Sequence, residues 1–399
     1  MTPPAGAADP FQTDGMPTDR ELNPHLKLTQ RGEAPATPNP GYARITETPT
    51  PHVVIPRHRL FANSSQRQLA AALMEPDIYV ILIPYGGGRS FNARVPNFGE
   101  SVRTLLDTFL FGTQTEPEDM DIVKILPASE QEPRVGESLS FQQPWGWLLR
   151  CGRDLRRWLL WMERISAGIN KTFSIYPLNY FEDSWKIATL SADIITPNTS
   201  HARALEILGN VKKTCWANTQ FKKYVVDMSR KNKSNLSPQE ALVQATSSWE
   251  LVPADHKDHL GKLTRVYILT GRPLSTDDKE RQTWVALINS VDTVWVGVHK
   301  IDMKTYQNRI SCTWCKSDLH CAHACPVAKV EDWYGPDPAS AEPEPAVGGR
   351  RVDEEALQED SEAQEAIWGT VSRGKKRNSR GDNSRGRGGG RVGRGRTRG

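Results

Sequence analysis

The sequence predicts an α+β protein, with one α/β module near its start, a second α/β block behind it, and a short cysteine-rich segment near its end. Residues 78–176 alternate between strand-like and helix-like apolar patterns, and residues 184–301 do so again. Four of the six cysteines fall within residues 312–325. Cysteines that serve only in core packing would be scattered along the chain. The 12 tryptophans of this 399-residue chain indicate a substantial buried core.

The first segment, residues 1–66, is rich in proline, threonine and alanine and shows no hydrophobic periodicity. Such a composition is typical of disordered chains, so we expect this segment to be disordered. His52 and His58 lie within it, and we expect both imidazoles to be solvated.

The first α/β domain is predicted over residues 67–183, with the element order βαββαβ. Its first strand is the apolar run 78–83, which is bounded by Pro84 and three glycines. The later elements are a helix over 100–112, strands over 121–126 and 145–149, a helix starting at Asp154, and a strand over 172–176.

This element order is also that of the RNA-recognition-motif fold, whose sheet stacks bases on aromatic side chains. Residues 145–148, Trp-Gly-Trp-Leu, resemble the core of the RNP1 motif of that fold, and Tyr79 lies where its first-strand motif begins. Strand alternation would place Trp145 and Trp147 on one face, where they could stack on unpaired bases. RNP1 opens with a basic residue and glycine, which this chain lacks, so two core tryptophans are the alternative interpretation.

The second α/β domain is predicted over residues 184–304, although the two α/β blocks could also form one fused domain. Its predicted strands cover 185–190, 266–269 and 293–298, and its predicted helices cover 200–230, a segment starting at Ser237, and 277–289. Cys151 and Cys215 are lone thiols in apolar surroundings, which favours buried packing. His256 and His259 lie in a polar stretch that we interpret as a solvated loop.

Residues 312–325 follow the spacing C-x2-C-x4-H-x4-C, the ligand pattern of a zinc knuckle, here assigned to residues 305–336. Cys312, Cys315, His320 and Cys325 supply the thiolates and the imidazole that zinc prefers, and the two-residue gap lets one tight turn hold the first two. Four protein ligands leave no position for water, so we expect a structural rather than a catalytic Zn²⁺.

Two alternatives to this ligand set remain. Cys321 and His323 lie in the same loop, and either could replace a ligand. A disulfide cluster is the other interpretation, but no secretory signal is visible, and this favours a reducing intracellular compartment, cytoplasmic or nuclear.

The knuckle and its flanks resemble the CCHC knuckles of retroviral and retrotransposon Gag-like proteins, especially those of basidiomycete fungal elements. The resemblance rests on residues 315–320 (Cys-Lys-Ser-Asp-Leu-His), 325–326 (Cys-Pro) and 332–336 (Asp-Trp-Tyr-Gly-Pro), and it extends loosely over 78–336. It implies a non-enzymatic, zinc-dependent protein that coats element RNA, self-associates and helps to form a ribonucleoprotein particle.

This knuckle departs from the retroviral pattern at several positions. Retroviral knuckles usually carry glycine after the second cysteine and before the histidine, where this chain has Lys316 and Leu319. Their base-stacking aromatic follows the first cysteine directly, whereas Trp314 sits one position later here. We expect metal binding to be little affected, and we take Trp314, Lys316 and Trp333 as candidate nucleic-acid contacts.

The chain ends in two segments of opposite charge. Residues 337–370 form an acidic linker that we expect to be disordered, and residues 371–399 form an Arg/Gly-rich tail. From residue 373 onward, eleven Lys or Arg residues stand against a single acidic residue, Asp382. Such tails bind single-stranded nucleic acid through its phosphates without sequence preference. The candidate phosphate contacts are Arg385, Arg387, Arg391, Arg394 and Arg396.

Several function classes are disfavoured by the sequence. No apolar run reaches about 18 residues, so we expect no membrane span. No phosphate-binding loop, metalloprotease motif or nucleophile elbow occurs, so we expect neither an enzyme nor a small-molecule substrate. The predicted partner is nucleic acid, with RNA favoured over DNA. The alternative is a protein-interaction adaptor that docks a partner on the knuckle and uses the tail for solubility.

Overall fold

The computed structural model describes residues 22–87, 91–128, 144–257, 262–291, 293–303 and 310–338. Within these ranges helices and strands are mixed in an α+β fold, as the sequence predicts. None of the helices described is long and apolar enough to cross a membrane. The basic tail and all but the first two residues of the predicted acidic linker lie outside the described residues.

A five-stranded antiparallel sheet forms the first block. Its strands are β1 (Tyr79–Pro84), β2 (Asp121–Lys124), β3 (Trp147–Arg150), β4 (Arg164–Ser166) and β5 (Thr172–Pro177). They lie in the order β2-β3-β1-β5-β4, and each neighbouring pair is antiparallel. The short edge strand β4 was not predicted from the sequence. The helices of this block are α1 (Arg57–Leu60), α2 (Gln66–Ala72), α3 (Phe91–Arg94), α4 (Phe98–Leu106) and α5 (Arg153–Met162).

Helices α4 and α5 cover one face of this sheet. Their apolar side chains recur at helical spacing and pack against the strand side chains Val80, Leu82 and Phe173 in one core. The structure thus confirms a helix in each of the two predicted places, with α4 ending several residues before the predicted limit of 112. Helix α5 ends at Glu163, whose φ of 54° is left-handed, a common way to end a helix.

The opposite face of the sheet is covered by the N-terminal segment and by the cysteine-rich segment. Ile81, Ile83 and Leu148 belong to this face and join Val53, Ile55 and residues of 312–327 in a second core. Strand β1 is therefore buried on both faces, which explains why its sequence is apolar throughout instead of alternating with polar residues.

Residues 22–66 are folded, and the prediction that residues 1–66 are disordered is wrong for this part. Ile45, Val53 and Ile55 are all less than 5% exposed, and the backbone N–H of Thr46 donates to the Ser166 carbonyl at 2.9 Å. Most of this segment has no regular secondary structure, so its apolar residues are buried one by one and produce no periodicity in the sequence. Residues 1–21 lie outside the described residues.

His52, predicted to be solvated, is buried between two carboxylates. Its Nδ1 lies 2.5 Å from Glu163 Oε2 and its Nε2 lies 2.5 Å from Glu182 Oε2. Arg31 pairs with the same Glu163, and Lys27 with the same Glu182. These ion pairs connect the N-terminal segment to the first block. His58, in contrast to His52, is exposed as predicted.

The second block contains a three-stranded antiparallel sheet and a β-hairpin. Strands β6 (Lys186–Leu190), β7 (Glu250–Lys257) and β8 (Leu263–Thr270) lie in the order β6-β8-β7, and β9 (Thr293–Val296) pairs with β10 (His299–Asp302). The helices are α6 (His201–Ala217), α7 (Thr219–Lys231), α8 (Pro238–Ser247) and α9 (Asp278–Asn289). Their shared core is centred on buried rings, among them Phe221 and Trp284 stacked with centroids 5.1 Å apart.

Two predictions for this block need correction. The helical region predicted over 200–230 is two helices, because the Asn218 side chain accepts hydrogen bonds from the first backbone N–H groups of α7 and caps it. His256 lies in strand β7 and not in a loop. Pro253 and the polar residues after it break the apolar pattern of β7, and proline is tolerated there because β7 is an edge strand.

Candidate metal centre

Cys312, Cys315, His320 and Cys325 converge as the knuckle spacing predicts. Their ligand atoms all lie within 4.8 Å of one another. The three thiols are buried and the imidazole is partly exposed. A tetrahedral site with bonds of about 2.3 Å has ligand–ligand edges of about 3.8 Å, so this set of donors fits a zinc ion in both chemistry and spacing.

The turn between the first two cysteines is fixed by backbone hydrogen bonds. The Cys315 N–H donates to Cys312 Sγ at 3.3 Å, and the Lys316 N–H donates to the Cys312 carbonyl at 2.9 Å. The Cys312 N–H in turn donates to the Ser317 carbonyl at 2.7 Å. These hydrogen bonds fix a tight turn in which the thiols of Cys312 and Cys315 lie close together.

Lys316 occupies the position where retroviral knuckles carry glycine, and its φ of 69° lies in the left-handed region that favours glycine. Its side chain is fully buried. Its ammonium donates to the Thr313 carbonyl at 2.7 Å and lies 5.5 Å from the ring centroid of Trp145. Lys316 thus adopts a backbone conformation that favours glycine, while its side chain makes a local hydrogen bond and a cation–π contact.

The other two candidate ligands, His320 and Cys325, are those of the predicted spacing. Cys315 Sγ lies 3.4 Å from His320 Nε2. Cys321 Sγ instead lies 3.9 Å from His256 Nδ1 in strand β7, and neither Cys321 nor His323 belongs to the cluster. The geometry therefore favours His320 and Cys325 over these two alternatives.

Neighbouring thiols shift the pKa values of Cys315 and Cys325. Hydrogen bonds from Cys312 and Cys315 lower the pKa of Cys325 to about 4, and the positive charge of Arg164 acts in the same direction. Burial, with the neighbouring thiols, raises the pKa of Cys315 well above its usual range. The site thus already favours one thiolate, and a bound divalent cation would favour the others.

An aromatic layer joins the cluster to the first sheet. The Tyr85 ring, at the end of β1, makes edge contacts with Trp314 and Trp333, with centroids 6.1 Å and 5.7 Å away. The Gly86 N–H donates to the Trp314 carbonyl at 3.0 Å. A side chain at Gly86 would start 2.9 Å from the Trp314 ring, so this approach requires glycine.

A second set of contacts joins the knuckle to the second block. The Lys186 ammonium, from β6, donates to the carbonyls of Asp318 at 2.8 Å and Ile310 at 3.2 Å. Burial alone would raise the pKa of the Asp318 carboxyl, but the charges of Lys186, His25 and Arg59 lower it. Leu319 packs with residues of β7 and β8. The described residues of both blocks and the knuckle pack as one compact unit.

Arg164 is a buried cation beside this aromatic layer, only 4% exposed. Its guanidinium lies 5.6 Å from the Tyr85 centroid, and it donates to Thr50 Oγ1 and, at 3.1 Å, to the Pro51 carbonyl. No local motif in the sequence identifies Tyr85, Arg164 or Lys186, because each reaches the knuckle from a distant element.

Two of the three predicted nucleic-acid contacts near the knuckle are buried, and the third, Trp333, is partly buried. Trp314 is 6% exposed and Lys316 is fully buried, because both face the first sheet. Trp333 is partly buried, and its Nε1 donates to the Pro336 carbonyl at 3.1 Å. These rings are therefore part of the core around the candidate metal site.

The prediction that Trp145 and Trp147 share one face is wrong. Strand β3 begins at Trp147, so strand alternation does not extend back to Trp145. Trp145 is 4% exposed and packs on the knuckle side, whereas Trp147 packs on the helix side against Phe98. Tyr79 is partly buried beside the knuckle-side core. Two packed tryptophans, the alternative interpretation, match this arrangement.

The predicted phosphate contacts Arg385, Arg387, Arg391, Arg394 and Arg396 lie outside the described residues. Comparison of the chain with protein-family models, with curated proteins and with solved structures finds no match.

Proposed function

We propose that Cys312, Cys315, His320 and Cys325 bind one Zn²⁺ and that this zinc is structural. The single observation that carries the proposal is the convergence of these four ligand atoms within 4.8 Å. With four protein ligands the coordination sphere is complete, and no position remains for a reacting water. Three thiolates around a dication carry a net charge of −1, which the nearby guanidinium of Arg164 would balance.

The zinc would stabilise the knuckle where it packs between the two blocks. Trp314 packs against the first sheet, and Lys186 holds the backbone of Asp318 from the second. A small loop has no core of its own, so the metal would supply the free energy that keeps the knuckle folded between them.

We further propose that the first block is a variant of the RNA-recognition-motif fold. The strand order β2-β3-β1-β5, with two helices on one face, supports this assignment. The face opposite the helices is occupied by the knuckle and the N-terminal segment. In this proposal the sheet therefore serves as a scaffold, and base contacts would lie elsewhere.

We propose that the whole chain is an intracellular, non-enzymatic RNA-binding protein of the Gag-like type, which packages RNA and self-associates. The Arg/Gly-rich composition of residues 371–399 supports RNA binding through phosphates. The knuckle spacing and its flanking residues support the Gag-like assignment. Cys312 and residues 314–318 are buried, and burial of this part of the knuckle disfavours the adaptor alternative, since a docking module needs an accessible surface.

RNA binding by the full-length chain tests this function. We expect replacement of Arg385, Arg387, Arg391, Arg394 and Arg396 by glutamine to weaken binding to single-stranded RNA. The slope of log affinity against log salt should fall by up to about 3.5, because each of the five lost phosphate contacts removes about 0.7 from the slope. Fluorescence anisotropy across a salt series measures both quantities.

The matched control replaces the same five arginines by lysine and should keep the slope, because lysine also neutralises a phosphate. Binding that does not respond to salt in any variant would contradict the proposal and favour the adaptor.

A further inference from the structure

A groove lies between helices α1 and α2. It encloses about 330 Å³ and is lined by Arg57, His58, Phe61, Gln66, Leu69, Ala70 and Leu73. Arg57 carries a positive charge, and none of the described lining residues is acidic. The groove therefore combines apolar walls with positive charge, and this combination suits an apolar ring that carries a negative group.

The basic end of the groove is a stack of flat groups. The Arg57 guanidinium lies 5.1 Å from the centroid of Phe61 and 4.7 Å from the centroid of Phe181, and both contacts have cation–π geometry. Arg57 is held in place by a hydrogen bond of 3.1 Å to the Tyr180 carbonyl. The Phe181 side chain is 72% exposed, so the stack ends in an aromatic ring open to solvent.

Exposed aromatic rings beside arginine guanidinium planes are the groups on which proteins stack unpaired bases. Phe181 would offer its open face to a base, and the Arg57 guanidinium would attract the adjoining phosphate. We propose that this groove and Phe181 form a binding site for a nucleotide of single-stranded RNA. The site rests on the RNA-binding function proposed above, and its residues are neither candidate zinc ligands nor part of the Arg/Gly-rich segment 371–399.

The test is the affinity of the full-length chain for a fluorescent oligouridine at about 0.3 M salt, where phosphate contacts of the tail are weakened. We expect Phe181→Ala to weaken binding about 10-fold, within the range of one base stacked on one aromatic ring. The salt slope should stay unchanged because no charge is removed. Phe181→Trp should keep the affinity, since tryptophan also offers a stacking face.

Ile169→Ala is the matched control. Ile169 is 75% exposed and lies in the turn between β4 and β5, so its removal should change neither stability nor binding. Equal affinity of the Phe181→Ala and Ile169→Ala variants would overturn the inference, leave the RNA-binding proposal standing and point to another occupant, such as an apolar peptide. Absence of RNA binding by the unaltered chain would overturn both proposals.

Discussion

At the scale of single residues, buried charges carry more of the structure than the sequence indicates. Lys316 holds a left-handed backbone position and contacts the ring of Trp145. His52 lies between Glu163 and Glu182 and fastens the N-terminal segment. The sequence predicts a solvated imidazole for His52 and a nucleic-acid contact for Lys316, because nothing in the neighbouring residues along the chain predicts the buried partner.

The His52 contacts predict a pH-dependent contribution to stability. Burial alone would lower the pKa of His52, but hydrogen bonds and charge from Glu163 and Glu182 raise it. The stabilising protonated form is fully present below the unfolded-state pKa of about 6.5. Its contribution is lost as the pH rises through the higher folded-state pKa. We expect His52→Gln to destabilise the chain more at pH 6 than at pH 8, as measured by urea unfolding.

The exposed His58 provides the control for this experiment, and His58→Gln should show a much smaller dependence on pH. A loss of stability in His52→Gln that is the same at every pH would show that the imidazole acts only by packing.

At the scale of elements, the end of β1 is where the first sheet meets the knuckle. Gly86 has a φ of 69°, and its N–H donates to the Trp314 carbonyl. The close approach of this turn to the Trp314 ring sets the position of the knuckle on the sheet. A change here should therefore affect the folding of the whole unit more than a change at an open turn.

We expect Gly86→Ala to be more destabilising than Gly112→Ala. Both glycines have positive φ, and alanine in this region costs about 1–2 kcal/mol at either position. Only at Gly86 would the added methyl group also meet a ring, 2.9 Å away, whereas nothing lies within 4 Å at Gly112. Thermal unfolding of the two variants separates the steric cost from the conformational cost. Equal decreases in the midpoint of unfolding would contradict the account.

The elements that the sequence predicts well are those whose signal is local. Apolar runs and helical spacing predict the core strands and helices, and the cysteine and histidine spacing predicts the cluster of four candidate ligands. Contacts over a long sequence separation are not predictable in this way. The Lys186–Asp318 contact and the burial of Val53 depend on the folded sheet, and Trp145 faces away from Trp147 because β3 starts only after it.

At the scale of the whole molecule, the described residues of the knuckle contribute to the cores of both blocks and do not form a separately packed module. The buried thiols of the knuckle and Trp314 contribute to the core of the first sheet, and Leu319 packs with the second. Loss of the proposed Zn²⁺ should therefore destabilise both blocks together. This differs from the effect expected of an independent knuckle, which would unfold alone and leave the remainder intact.

Zinc content measured together with thermal unfolding of the full-length chain tests this account most directly. We expect one zinc per chain in the unaltered protein and in Cys321→Ser, and none in Cys325→Ser. Chelation should lower the midpoint of unfolding of both zinc-bound forms by more than about 10 °C, because zinc binding contributes folding free energy. Zinc retained by Cys325→Ser, or an unfolding midpoint that chelation does not change, would contradict the account.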